Sequence, residues 1–388
     1  MRTWILSLLV LLSGCAQMAP TSLSEGKLAA LLNDAAFAPP ARPADASGLF
    51  DLSPAMRQHL HSPQFQQTLR EHGAVRGLLH ALYDRRALQL DYDASHTGTA
   101  AETYAARKGN CLSLVIMTAA FARELGMTVR FQDVRVDSTW NREGGLYLIS
   151  SHVNLSLAPR APRFDDPDDA ALTVDFIPSI GASRYRVRTL DKTDIIALYM
   201  NNRAAEELVD GRHVDAYWWA RAALLAKPTL AMAWNTLAVV YERSGHKVLA
   251  EQVYRTAFER EPDSLVVMQN LARLLAENGK TGEAEALKQR VARLYPAPPY
   301  HYFNQGMAAY QAGDFTGARA LFAREVARAP YNDEFHFWLG VASLQLGQMS
   351  AAEKQLVLAR DTSVRPDARE RYSAKLAHLR GMARTRRN

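Results

Sequence analysis

The second part of the chain repeats itself every 34 residues. Four prolines keep this spacing, at Pro228, Pro262, Pro296 and Pro330. Three further columns on the same period hold only small residues: Ala204, Ala238, Ala272, Gly306 and Gly340; Ala216, Ala250, Ala284, Ala318 and Ala352; Gly211, Gly245, Gly279, Gly313 and Gly347. Small side chains let paired helices approach closely, glycine ends a helix, and proline interrupts the chain between units. The period therefore predicts a stack of helix pairs over residues 197–366.

These units also match a known repeat. In the second unit the matching side chains are Trp234, Leu237, Ala238, Tyr241, Ala250, Tyr254, Ala257 and Pro262. They resemble the tetratricopeptide repeat, and the resemblance implies an all-α solenoid of five repeats over residues 197–366. Such arrays bind extended peptides or partner proteins in a concave groove. Residues 367–388 are predicted to form a basic tail and the capping helix that such arrays require.

The first residues are typical of an export signal. Met1 and Arg2 form a short basic start, and residues 4–12 are apolar except for Ser7. A run of this length suits a signal peptide, because crossing a bilayer takes about 20 apolar residues. The run ends in Leu12-Ser13-Gly14-Cys15, which resembles the lipobox of bacterial lipoproteins.

This resemblance implies a lipoprotein signal peptide at residues 1–14 and a lipid on Cys15 that anchors the chain to a membrane of the bacterial cell envelope. Ala16 after the cysteine favours the outer membrane, with the protein facing the periplasm. Residues 15–46 are rich in Ala, Pro and Ser and are predicted to be a lipidated tether. The alternative is an ordinary signal peptide whose cysteine carries no lipid.

The number of cysteines limits the roles that Cys111 can have. The 388 residues contain two cysteines, and a lipid on Cys15 leaves Cys111 with no partner for an internal disulfide. A leftover cysteine in an exported protein is either buried and inert or a reactive thiol. The net charge of +6 is scattered along most of the chain, so it indicates no nucleic-acid partner.

Residues 47–195 combine helical and β patterns. Two or three helices are predicted between Phe50 and Leu90, and another over residues 110–126, where Asn110 caps the helix and Gly126 ends it. The β-prone runs that follow are Thr128–Val136, Gly145–Ser150, Val153–Leu157 and Leu172–Ile177. Helices followed by antiparallel strands predict an α+β domain.

The predicted helix start places Cys111 in a position suited to nucleophilic chemistry. The first N–H groups of a helix have no partner within the helix, and its dipole is positive at that end. Both favour the thiolate, which is the nucleophilic form of cysteine, and the same N–H groups can hold an oxyanion. A buried, inert cysteine remains the alternative for Cys111.

A thiolate needs a general base, and the base needs an orienting partner. His152 opens one β-prone run, and Asp175 lies inside another, where aspartate is uncommon. Asn154 shares a strand face with His152 and could add a hydrogen bond. The alternatives are a structural histidine at His152 and an aspartate that serves a turn or a salt bridge at Asp175.

The order of these residues resembles the transglutaminase-like superfamily. The resemblance rests on Gly109-Asn110-Cys111-Leu112-Ser113, on Ala119-Ala120 and Arg123-Glu124-Leu125-Gly126, on His152, and on Val174-Asp175-Phe176. The upstream Thr97-Gly98-Thr99-Ala100-Ala101-Glu102 stretch and Trp140 also look like elements of bacterial members that carry tetratricopeptide repeats. It implies a papain-like fold and a Cys111-His152-Asp175 triad. Val153 follows the histidine where many members have an aromatic residue, so Trp140 is a candidate for that wall of the pocket or else belongs to the core. Metal-ligand and phosphate-loop motifs are absent, so no cofactor is expected.

Two functions are therefore expected from the sequence. The first is an envelope-anchored thiol acyl-transfer enzyme, a hydrolase (peptidase or amidase) or a transamidase, acting on amide bonds of proteins, peptides or peptidoglycan. Its repeat array would bind the substrate or a partner. The second is a non-catalytic scaffold lipoprotein that binds proteins or peptides through its repeats and carries a degenerate transglutaminase-like domain.

Overall fold

A computed structural model describes residues 25–84, 88, 90–93, 96–143, 146–160, 171–176, 186–363 and 366–385. The predicted signal peptide and Cys15 lie outside these residues. Within them, no helix has both the length and the apolar character needed to cross a membrane.

Six helices precede or flank the strands of the first part: α1 (Glu25–Leu31), α2 (Pro54–Leu60), α3 (Pro63–His72), α4 (Ala74–Tyr83), α5 (Ala100–Ala106) and α6 (Cys111–Glu124). Ser53 and Ser62 cap α2 and α3, and each is followed by a proline at the first helical position. Proline is favoured there because the missing N–H would have no partner within the helix. These helices confirm the prediction for residues 50–90.

The strands are β1 (Asp91–Tyr92), β2 (Lys108–Gly109), β3 (Thr128–Glu143), β4 (Leu146–Ala158), β5 (Leu172–Val174) and β6 (Arg186–Leu190). The last four form one antiparallel sheet in the order β5-β4-β3-β6, while β1 and β2 form a short parallel pair. The separate runs predicted at residues 145–150 and 153–157 are wrong as two strands. They join into β4, because β4 stays paired with β3 across an irregularity between Val134 and Thr139.

Helix α6 is the centre of the first core. Twelve of its residues are buried, and it packs on the face of β4 that carries Val153, Leu155 and Leu157. Phe131 of β3 and Leu190 of β6 belong to the same cluster. The first part of the chain is thus a helical layer on an antiparallel sheet, which agrees with the predicted α+β arrangement. Its papain-like identity stays a prediction.

Eleven helices follow in the described chain: α7 (Lys192–Val209), α8 (His213–Ala226), α9 (Ala231–Arg243), α10 (Lys247–Arg260), α11 (Leu265–Glu277), α12 (Thr281–Leu294), α13 (His301–Gln311), α14 (Phe315–Arg328), α15 (Asp333–Gln345), α16 (Met349–Thr362) and α17 (Pro366–Thr385). Helices α7–α16 form five consecutive pairs, here called the repeat array. Helix α17 packs on α16, in the place predicted for the capping helix. The predicted solenoid is confirmed, although α7 begins five residues before residue 197.

The turn inside each pair contains a glycine of the 34-residue column. Gly211, Gly245, Gly279, Gly313 and Gly347 all have φ between 71° and 83°. Side chains other than glycine rarely adopt this left-handed conformation, which lets the chain leave one helix and enter the next. The backbone conformation that each turn requires therefore explains the glycine column.

The segment predicted as a tether is wrong over residues 25–46. Leu28, Leu31 and Phe37 are at most 9% exposed and join the core of the first repeats. Phe37 packs on Tyr217 of α8 and Tyr241 of α9, and α1 contacts α10; the composition of the segment alone does not reveal these contacts. Any tether is confined to residues before Glu25.

Candidate functional site

Cys111 is the first residue of α6, and Asn110 is its N-cap. The backbone N–H of Ser113 donates to Asn110 Oδ1 at 2.9 Å. This bond satisfies one of the free N–H groups of the first turn and fixes where the helix begins. Cys111 itself is 9% exposed. The predicted capped helix start is confirmed.

A buried hydrogen-bond network holds this helix start. Asn110 Nδ2 donates to Thr97 Oγ1 at 2.7 Å, and Ser113 Oγ donates to Asn110 Oδ1 at 2.9 Å. The N–H of Gly98 donates to Ser113 Oγ at 2.9 Å. A Cβ added at Gly109 would lie 2.7 Å from Ser113 Cβ, so only glycine fits before Asn110. The backbone beside Cys111 is thus set by packing as well as by hydrogen bonds.

The network continues into the repeat array. The N–H of Thr97 donates to Glu206 Oε1 of α7 at 2.7 Å, and Arg203 of the same helix donates to Glu206 Oε2 at 2.9 Å. Hydrogen bonds through Thr97 therefore join a carboxylate on the first array helix to the cap beside Cys111. The sequence analysis missed Glu206, which lies 109 residues from Thr97 and shares no local pattern with it.

The other predicted triad residues lie on the sheet. His152 pairs with Val134 of β3, and its side chain lies outside what the structure describes. Leu155 pairs with Val174, so continuing this register places Asp175 opposite Asn154. Residues directly opposite share a face, and alternate residues of one strand do as well. His152 and Asn154 alternate with Val153 and Leu155 along β4, so their positions, and that of Asp175 in the continued register, lie on the face opposite the one on which α6 packs.

The predicted supporting residues differ in what they contribute. Asn154 is 5% exposed, and its Oδ1 has no hydrogen-bond partner among the described residues. Leaving a buried acceptor unsatisfied costs about 1–3 kcal/mol, so this oxygen is ready to accept a donor. Trp140 pairs with Ile149 at the far end of β3 and β4, and its side chain is outside the described part.

Lys108, two residues before the N-cap Asn110, is paired with an aspartate. Lys108 Nζ lies 2.8 Å from Asp93 Oδ2, and this hydrogen bond raises the pKa of Lys108. The Arg107 backbone is left-handed, with φ at 52°.

No group of three His, Cys, Asp or Glu side chains within the described ranges could hold a metal ion.

A second candidate site lies on the first helices of three consecutive pairs. Asn201, Asn235 and Gln269 occupy equivalent positions 34 residues apart on α7, α9 and α11, here called the amide column. Asn270 Nδ2 donates to Asn235 Oδ1 at 3.1 Å, which joins the second and third helices of this column. Asn201 is 7% exposed, and its Oδ1 has no partner in the described chain. The 34-residue spacing was the signal that could have found these residues.

Comparisons with known proteins agree with this array. Two tetratricopeptide repeat family profiles match residues 270–333 and 309–379. The C-terminal part of the chain carries tetratricopeptide repeats. The family matches leave residues before 270 unassigned, and no curated protein matches the chain in sequence.

Several solved structures are also similar to the repeats. Pseudomonas aeruginosa PilF is 19% identical and covers 49% of this chain and 94% of its own, with a TM-score of 0.29. A thermophilic repeat protein of Thermus thermophilus is 21% identical over 47% of this chain and 99% of its own, with a TM-score of 0.31. YrrB, described as having an unusual peptide-binding site, is 18% identical over 46% and 92%, with a TM-score of 0.25.

Proposed function

We propose that this protein is a scaffold that binds proteins or extended peptides through its tetratricopeptide repeats. The observation that carries this proposal is the amide column of Asn201, Asn235 and Gln269, which lies on helix pairs that share the 34-residue period of the tetratricopeptide repeat, a repeat type that binds peptides. An amide side chain both donates and accepts hydrogen bonds. A ladder of amides therefore suits the alternating N–H and C=O groups of an extended backbone.

The free oxygen of Asn201 supports the same proposal. It is buried in the first array helix without a donor among the described residues, while Asn235 accepts from Asn270. A backbone N–H of a bound peptide would satisfy Asn201 Oδ1 and remove the penalty of its burial. Binding at this end of the column is then favoured over binding at side chains that are already paired.

The test begins with peptides selected from a random display library on the full-length protein. Selected peptides are measured by fluorescence anisotropy against an Asn201→Leu and Asn235→Leu double variant, with exposed Lys288→Ala on α12 as the control. Loss of two backbone hydrogen bonds at about 1 kcal/mol each predicts roughly 30-fold weaker binding to the double variant. Equal affinity for both variants would place the binding surface elsewhere.

A second candidate function is thiol acyl transfer at Cys111, as the resemblance to the transglutaminase-like superfamily implies. Support comes from the capped helix start at Cys111 and from the packing of α6 on β4, the strand that carries His152. In this proposal the Cys111 thiolate attacks an amide carbonyl and forms a thioester, while His152 protonates the leaving amine. Water then cleaves the thioester, releases the acid and regenerates the thiol; an amine acceptor gives transamidation instead.

This candidate is tested with substrate and with thiol probes. Cys111→Ala should abolish cleavage of envelope peptide or peptidoglycan substrates, and His152→Ala should slow it by at least about 100-fold, the scale of general-base catalysis. Leu112→Met, a volume-conserving change in the same turn, should keep activity. Unchanged turnover in Cys111→Ala would remove the thiol mechanism and leave the scaffold proposal standing.

We also propose that Cys15 carries a lipid that anchors the protein in the bacterial cell envelope, at the outer membrane facing the periplasm. The support is the lipobox-like Leu12-Ser13-Gly14-Cys15 stretch. Cells expressing the full chain are fed a tritiated fatty acid and fractionated. We expect label in the wild-type protein in the outer-membrane fraction and none in Cys15→Ala; label in both would contradict the assignment.

A further inference from the structure

The N-terminal residues 28–41, here called the docked segment, begin within α1 and lie on the first two repeats. Their one aromatic side chain, Phe37, stacks on Tyr217 with ring centroids 4.0 Å apart and planes 3° from parallel. Tyr241 and His246 lie 5.9 Å and 5.6 Å from the same ring. Three rings of α8, α9 and the turn after α9 thus form a seat for one phenylalanine.

A charged contact fixes the residue three positions earlier. Asp34 Oδ1 accepts from Tyr217 OH at 2.7 Å and from Arg221 Nε at 2.8 Å. Burial raises the pKa of Asp34, but the hydrogen bonds from Tyr217 and Arg221 outweigh it and lower the pKa overall. The seat therefore favours a carboxylate three residues before the aromatic ring.

The other hydrogen bonds between the repeats and the docked segment are made to its backbone. The hydroxyl of Tyr241 accepts from the N–H of Asn33 at 2.9 Å and donates to the C=O of Leu31 at 2.8 Å. Trp218 Nε1 donates to the C=O of Ala38 at 2.8 Å. Any peptide that follows the same path can make these bonds, because they involve no side chain of the segment.

We propose that Tyr217, Trp218, Arg221 and Tyr241 form a second peptide-binding site, specific for peptides that make a short 3-10 turn between an acidic residue and an aromatic one three positions later, as Asp34–Ala36 does before Phe37, and that the docked segment occupies it in cis. The site uses side chains of α8 and α9 other than the amide column, so it goes beyond the scaffold proposal and is tested independently of it. A tethered ligand has an effective concentration on the order of millimolar. The docked segment therefore excludes peptides that bind the site more weakly than it does. A partner peptide that binds more tightly displaces the segment and frees residues 28–41.

A charge reversal on the full-length chain tests this proposal. The probes are two fluorescein-labelled peptides of sequence LLNDAAFAPPAR (residues 31–42), one as written and one with the aspartate replaced by arginine. Three variants are compared: Asp34→Arg, Arg221→Asp and the double variant. Asp34→Arg places a second positive charge beside Arg221. Both changed side chains are partly exposed, at 45% and 30%, so the repeat core is untouched. Circular dichroism and limited proteolysis check folding and release of the segment.

Wild-type protein is expected to bind both peptides only at millimolar concentrations or above, because the docked segment occupies its site. Asp34→Arg should release its segment and bind the acidic peptide at least tenfold tighter than the arginine peptide. Arg221→Asp should show the reverse preference. The double variant restores opposite charges in cis and should close again.

Two outcomes overturn the proposal. The first is a released segment, shown by proteolysis, with no binding of the acidic peptide to Asp34→Arg. The second is equal binding of both peptides to both single variants. If charge reversal leaves the segment docked, Phe37→Ala empties the aromatic seat instead. Failure of that variant to bind the acidic peptide also rejects the site.

Discussion

Replacing Asn110 with alanine probes the helix start that carries Cys111. The Asn110 side chain accepts from the Ser113 N–H, accepts from Ser113 Oγ and donates to Thr97 Oγ1. Ser113 and Thr97 are fully buried, so water cannot replace the lost partner. Asn110→Ala therefore removes a cap and strands polar groups in the interior.

The magnitude follows from these contacts. Loss of an N-cap costs about 0.5–2 kcal/mol, and a stranded buried polar group adds about 1–3 kcal/mol. We expect about 2–4 kcal/mol of local destabilisation at α6 for Asn110→Ala. Asn110→Asp is the matched control, because it keeps the acceptor for Ser113 and loses only the donor to Thr97. Its expected cost is about 1 kcal/mol.

Hydrogen exchange of peptides from residues 107–120 is the suitable assay, because a chain with several cores does not unfold in two states. Exchange of the first turn of α6 should be about 30- to 1000-fold faster in Asn110→Ala and about fivefold faster in Asn110→Asp. Cys111 should also react faster with iodoacetamide in Asn110→Ala, since the fraying turn exposes a sulfur that is now covered. Exchange within threefold of wild type in Asn110→Ala, or equal effects of both variants, would refute the capping argument.

Three further predictions concern packing, pH and a cap supplied from a neighbouring helix. In Gly306→Ala the new Cβ would lie 2.7 Å from the ring of Phe322, whereas in Gly340→Ala the nearest side-chain atom is 3.1 Å away. Hydrogen exchange of α13 and α15 should show a local loss of about 1–3 kcal/mol from overpacking for the first, offset by up to about 1 kcal/mol of helix propensity, and a change near zero for the second; equal changes would contradict this. The Asp34 carboxylate, with its pKa lowered on folding, stabilises the docked segment above its unfolded pKa of about 3.9 and loses this effect as the pH falls through the folded pKa. Asp34→Asn should thus increase proteolysis of the segment at pH 7, and its difference from wild type should shrink steadily as the pH is lowered below about 3.9; a difference that is the same at every pH would reject the ionic contribution. Glu325→Ala should destabilise α13 by about 2–4 kcal/mol in hydrogen exchange, because it strands two buried N–H groups, while Glu325→Gln keeps an acceptor and should lose less than half of that.

Helix α13 shows how a distant residue can set a helix boundary. The 34-residue period from Leu265 predicts a start at residue 299, but the helix begins at His301, after Tyr300 with φ at 64°. Pro299 disfavours a helical conformation in the residue before it. The first N–H groups of α13 are then capped by Glu325 of α14, which lies more than 20 residues away.

The candidate thiol site also combines features that the sequence predicts with features that only the fold provides. Asn110 was identified as a cap from its position alone, because capping is a contact over three residues. Glu206, which holds Thr97 and through it Asn110, came only from the fold. The pairing of Leu155 with Val174, next to Asp175, likewise depends on strand register, which sequence spacing across a loop does not determine.

The sequence by itself determined the repeat array. Its helix pairs, its glycine turns and its prolines are local features, and each repeats at a period that one supersecondary unit sets. It also determined that Cys111 begins a helix. Only the tertiary structure decided that residues 28–41 are docked, because an Ala- and Pro-rich segment becomes ordered only when Tyr217 and Tyr241 offer it a surface to bury Phe37. Local chemistry fixes elements, whereas contacts between distant residues fix which surfaces are covered.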